Sequence, residues 1–143
     1  RFKYIRNFHP KRPHLQPNAY KDAKPIVQRL RELHAAGRLD ALSRAILFAP
    51  ERTAEQLYDV VADPHETRNL ASTPAHRETL DALRARLDRW MMETGDAGRS
   101  PESDAMFDSD MAVYLHDLAP RPDRLQVLRE NIALMKKWAA EGK

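Results

Sequence analysis

The sequence contains no cysteine and only four glycines among its 143 residues. Without a thiol, disulfides, thiolate nucleophiles and cysteine-ligated zinc are excluded from this chain, and cysteine usage says nothing about its compartment. Aromatic residues amount to 7%, and no apolar run approaches the roughly 20 residues needed to cross a bilayer, so no membrane partner is expected. Charge of a single sign is missing too. The 24 Lys and Arg are interspersed with 21 Asp and Glu, leaving a formal net charge of +3. That is the pattern of solvated helix faces. Only Arg1, Lys3, Arg6, Lys11 and Arg12 form a basic cluster, and no groove-reading motif accompanies it, so nucleic acid is not an expected partner.

A hydrophobic fraction of 42%, a charged fraction of 31% and a mean hydropathy of −0.70 allow a core, but a modest one. Ten prolines impose hard stops and extended connections. The chain starts at Arg1 and enters a strand-like run at once, so it is expected to be cut from a longer protein, and localisation stays open.

Phe2–Arg6 is rich in aromatic and β-branched residues and reads as a strand. From Asn7 to Tyr20, Pro10, Pro13 and Pro17 forbid a helix and predict an extended loop. Asp22 is expected to cap a helix that carries Pro25 in its first turn, with Ile26, Leu30 and Leu33 on one side and Gly37 at its end. A shorter helix is expected from Asp40 to about Phe48. Gln56–Val60 is the second strand, and Asp63-Pro64 opens a turn. The clearest helix follows, capped by Ser72 or Thr73, with Leu80, Leu83, Leu87, Trp90 and Met91 on one face. Arg84 and Asp88 are a candidate surface pair within it, and Gly95 and Gly98 end the segment. Residues 99–119 are ambiguous. The last helix starts near Asp123, with Gln126 placed for a capping-box-like contact. Its stripe of Leu125, Leu128, Ile132 and Met135 is widened by Val127, Leu134 and Trp138 beyond what one neighbour requires.

Chemistry is sparse. The six histidines, His9, His14, His34, His65, His76 and His116, show no metal-ligand spacing, and no metal site is expected from this chain alone. Asp108-Ser109-Asp110 resembles the start of a calcium loop but lacks the glycine and glutamate that complete one. No serine lies in a G-x-S-x-G turn, and Glu66 beside His65 is a pair of neighbours rather than a positioned dyad. No catalytic residue is assigned.

The run Gln56-Leu57-Tyr58-Asp59, followed by Asp63-Pro64-His65-Glu66-Thr67-Arg68-Asn69-Leu70-Ala71, resembles a signature near the C-termini of sulfatases of the alkaline phosphatase superfamily. Locally, Leu57 buries, Asp63-Pro64 turns, Glu66 and Asn69 tie backbone groups, and Leu70 anchors the approach to the helix. Glu93-Thr94 after Trp90, and the Arg1-Phe2 strand with its Asn7-Phe8 exit, resemble the N-sulfoglucosamine sulfohydrolase (sulfamidase) branch. The resemblance covers residues 1 to about 96. Gln56 stands where the family usually has Glu, and the tail does not match.

The resemblance implies an α+β fold: a small antiparallel sheet, with two strands visible here, packed with several helices as the C-terminal subdomain of a larger α/β sulfatase. Residues 1–98 would be that subdomain, incomplete, and 99–143 a C-terminal extension. Calcium and a formylglycine nucleophile are implied for the missing catalytic domain and no cofactor for this piece. The formylglycine motif [CS]-x-P-x-R has one near miss, Ser72-Thr73-Pro74-Ala75-His76, with His in place of Arg. The expected function is therefore the non-catalytic C-terminal portion of an enzyme hydrolysing sulfate esters or sulfamates, inactive alone. Its expected partner is the missing catalytic domain. Because sulfated substrates are anionic, His9, Lys11, Arg12 and His14 are the candidate substrate-binding residues; the competing reading is that their loop packs over a surface. The alternative function is a helical module associating copies through residues 120–143, with no enzymatic role.

Overall fold

A computed structural model describes residues 1–143, an α+β arrangement of six helices and one two-stranded antiparallel sheet. Contacts divide the chain into two units: Arg1–Pro10 with Arg52–Ser100, and Lys11–Glu51 with Pro101–Lys143. The stretch 11–51 thus groups with the tail rather than with the strands.

The first unit holds β1 (Phe2–Arg6), β2 (Glu55–Asp59) and α4 (Arg77–Thr94). The strands pair with Phe2 opposite Asp59 and Arg6 opposite Glu55. The Val60 N–H donates to the Arg1 carbonyl and the Asn7 N–H to the Ala54 carbonyl, so odd positions of β1 bond to β2. The backbone groups of Phe2, Tyr4 and Arg6 lie on the outer edge of the sheet. The far edge of β2 is closed instead: the Leu70 N–H donates to the Leu57 carbonyl at 2.8 Å. Leu57 is fully buried and forms the core with Leu70 and Leu80, flanked by Phe2, Tyr4, Ala71 and Leu83. Three leucines of this kind contribute about 1.5–3 kcal/mol each on burial, a small core for an 18-residue helix and a sheet to share.

α4 does not begin at a Ser or Thr cap. Pro74–His76 forms a 3-10 turn after Thr73, whose side chain makes no capping bond, and the α-helix starts behind His76. Its end is as expected: Gly95 adopts φ 65° and its N–H donates to the Met91 carbonyl, the left-handed closure that favours glycine. Leu80, Leu83, Leu87 and Met91 turn inward to differing extents, whereas Trp90 is 50% exposed. Arg84 and Asp88 are not paired with each other. Arg84 reaches Glu55 and Asp81, and Asp88 holds Arg6, because partners on the adjoining strands compete with the spacing along the helix.

The second unit is helical: α1 (Ala19–Asp22), α2 (Pro25–Ala35), α3 (Ala41–Leu47), α5 (Asp104–Asp117) and α6 (Pro122–Ala140). Asp22 does not cap α2, whose N-cap is Lys24. It ends α1, where its carboxylate accepts from the Asn18 N–H at 3.0 Å, Arg31 at 2.6 Å and the Asn131 amide at 3.1 Å. Burial pushes its pKa up, but these donors outweigh that and hold it below the usual carboxylate range. Ile26, expected on the inner side of α2, is 71% exposed. Asp40 does cap α3, accepting from the Ser43 N–H at 2.9 Å. His34 stacks on Phe48 with ring centroids 4.1 Å apart, fastening α2 to the end of α3.

The ambiguous stretch resolves as α5, capped by Ser103 through the Met106 N–H. Gln126 makes no capping contact in α6. Its amide donates to Glu130 along the helix, and Arg121 is the N-cap. Leu128 is buried, and Leu125, Ile132 and Met135 are half-buried.

Candidate functional site

The residues that carry the sulfatase resemblance converge on one knot in the first unit. Asn69 is its centre. Its side-chain oxygen accepts from the Leu57 N–H at 2.9 Å and the Ala71 N–H at 3.0 Å, while its amide donates to the Glu55 carbonyl at 3.0 Å. One side chain therefore replaces a third strand along β2 and delivers Leu70 to the core. Asp63 closes the preceding turn by accepting from the Arg68 N–H at 2.7 Å and the Thr67 hydroxyl at 3.3 Å. The Arg68 N–H and its companion bonds depress the Asp63 pKa against the opposing effect of desolvation.

Asp59 ends β2 with its carboxylate shared between Arg1, at 2.7 and 2.9 Å, and the N–H groups of Val61 and Ala62. The Arg1 bond is the main reason its pKa is lowered to about 2. Glu66 ties no backbone group, contrary to expectation. It sits at φ 53° and its carboxylate takes both bonds from Lys3, at 2.7 and 3.0 Å, linking the turn to β1.

On the α4 side a second network joins strand to helix. The Tyr4 hydroxyl donates to Glu55 and accepts from Arg6 at 3.1 Å; Arg84 grips Glu55 at 2.7 and 2.8 Å; Arg6 holds Asp88 at 2.5 Å. Arg84 is the largest influence on Glu55, lowering its pKa to about 2 against desolvation, with Tyr4 and Arg6 adding to the effect. The ion pairs that join strand to helix link residues 29 and 82 apart in sequence, so no spacing rule announces them. Arg6 and Arg84 thus face the carboxylates of Glu55, Asp81 and Asp88, with the Tyr4 hydroxyl between Arg6 and Glu55.

The four candidate substrate residues do not all belong to one unit. His9 is in the first, where its carbonyl accepts from Arg52 at 3.0 Å; Lys11, Arg12 and His14 are in the second. Lys11 and His14 are exposed and Arg12 is half-buried. Pro13, Leu15 and Pro17 of the same loop line a groove with Phe48, Val127 and Trp138. Of the other histidines, His76 lies 5.6 Å from the Phe2 ring, and His65 and His116 are exposed and apart in sequence. No three His, Asp or Glu side chains converge as metal ligands do. Asp108 bonds Lys136 at 2.7 Å.

No protein-family model matches the chain. Among curated proteins it is similar to an ulvan-active sulfatase of Formosa agariphila, 38% identical over 104 residues, which make up 73% of this chain and 17% of that protein. It is also similar to an N-sulphoglucosamine sulphohydrolase of Homo sapiens, 36% identical over 72 residues, 50% of this chain and 14% of that protein. The chain spans less than a fifth of the length of either relative.

Proposed function

We propose, from the premise that this chain is sulfatase-related and resembles a C-terminal part of such an enzyme, that it is the non-catalytic C-terminal portion of a sulfatase. The parent enzyme would hydrolyse sulfate esters or sulfamates, with its nucleophile, and the calcium implied by the resemblance, in the catalytic portion. The observation that carries the non-catalytic reading is the use to which the family-like residues are put. Asn69, Asp63 and Asp59 spend their polar atoms on backbone N–H groups, a carbonyl and Arg1, and Leu57 and Leu70 fill the core. They are framework. The outer edge of β1 supports a role in completing a larger fold, because three residues there present backbone donors and acceptors that a further strand satisfies.

Assay of the purified 143-residue chain against an aryl sulfate tests the reading. No turnover is expected; reproducible turnover that scales with the chain's concentration would show that it carries a site of its own.

A further inference from the structure

Two helices of the second unit carry solvent-facing stripes of opposite character. On α5, Met106, Asp110, Val113 and Asp117 are all exposed and recur at intervals of four, three and four, which places them on one face. Met106 is 58% and Val113 57% exposed. On α6, Arg129, Ala133, Lys136 and Ala140 repeat the same intervals and are likewise exposed. One stripe alternates large apolar with acidic residues; the other alternates small with basic.

Laid antiparallel, the stripes match position by position. Met106 meets Ala140, Asp110 meets Lys136, Val113 meets Ala133 and Asp117 meets Arg129. Each large side chain faces an alanine, the arrangement of knobs against shallow holes, and each carboxylate faces a cation. The two stripes do not satisfy each other within one chain, since all eight residues remain exposed. Lys136 does bond Asp108 of its own chain at 2.7 Å, but both side chains of that pair are 54% exposed, so it is a weak surface bridge that a better-placed partner can share.

We infer that this face pairs two copies of the chain, the α5 stripe of one seated on the α6 stripe of the other. The occupant is a second copy because the charge sequence and the size sequence both complement the chain's own α6. The inference is independent of the parent's reaction.

The test is light scattering coupled to size exclusion over a concentration series, with charge reversals in the full chain. The unaltered chain is expected to rise from the mass of one copy to at least two. Asp110→Lys with Asp117→Lys, and separately Arg129→Glu with Lys136→Glu, are each expected to remain single copies. Mixing the two variants restores association, because each then offers what the other lacks. Val113→Arg, which leaves the stripe's carboxylates in place, is also expected to stay single. An unaltered chain that stays single at every concentration overturns the inference. So does association that survives both reversals, which would point to another surface such as the β1 edge, or a mixture that fails to associate while both variants retain the helical circular dichroism of the original.

Discussion

Asn69 holds β2 and the approach to α4 together through one side chain. Asn69→Ala removes its three bonds at 2.9–3.0 Å to the Leu57 N–H, the Ala71 N–H and the Glu55 carbonyl, and water can replace them only in part beside buried Leu57. At about 1 kcal/mol per bond, with a further penalty for stranded backbone groups, the loss is about 2–4 kcal/mol, measured as a fall in urea midpoint with little change in slope. This residue was legible in the sequence, because Asx side chains at a fixed distance after a turn have few other uses. Glu66 was not. Its role is set by Lys3, 63 residues away, and local spacing carries no information about a strand that returns from that distance. Asp22 misled for a related reason: a carboxylate just before a proline reads as a cap, but Arg31 and Asn131 lie close enough to claim it.

At the scale of elements, both strands, the Gly95 stop and the Asp40 cap follow from residue type, since each rests on backbone geometry that few residues satisfy. α5 escaped for a physical reason. Its apolar residues surround the helix instead of forming one stripe, so periodicity has nothing to detect, and the outward half is the face inferred above to meet a second copy. Ion pairs tie β2 to α4 and to the start of β1, and this makes the first unit acid-labile. Glu55, held by Arg84, and Asp59, held by Arg1, both have pKa values lowered to about 2, below the roughly 4 of an unfolded chain. A depressed carboxylate contributes stability that is present above the unfolded value and is lost as pH falls through the folded one. Melting temperature is therefore expected to hold down to about pH 4.5 and decline toward pH 2. The double variant Glu55→Gln, Asp59→Asn should start lower at neutral pH and decline less over that window. An acid response identical to that of the unaltered chain would place the labile groups elsewhere.

In the whole molecule buried apolar side chains are few: Leu57, Leu70 and Leu80 around the two-stranded sheet of the first unit and Leu128 in the second, and the outer edge of β1 is open to a further strand. The identities of 38% and 36% are spread over less than a fifth of each relative. Composition and cysteine count bounded the chemistry by excluding classes of it, and the signature from Gln56 to Ala71 suggested the family. The roles of Leu57, Asp63, Asn69 and Leu70 in that signature could be read locally, whereas the pairings of Asp59 with Arg1 and Glu66 with Lys3 depend on a strand 58 to 63 residues away. As proposed above, this chain completes a sulfatase without supplying its chemistry. This is tested most directly by expressing the catalytic portion of the parent enzyme with and without this chain as a separate polypeptide, and measuring sulfate release. Little soluble, active catalytic portion is expected alone, no release by this chain alone, and release when the two are produced together. A catalytic portion that is soluble and fully active without this chain would contradict it.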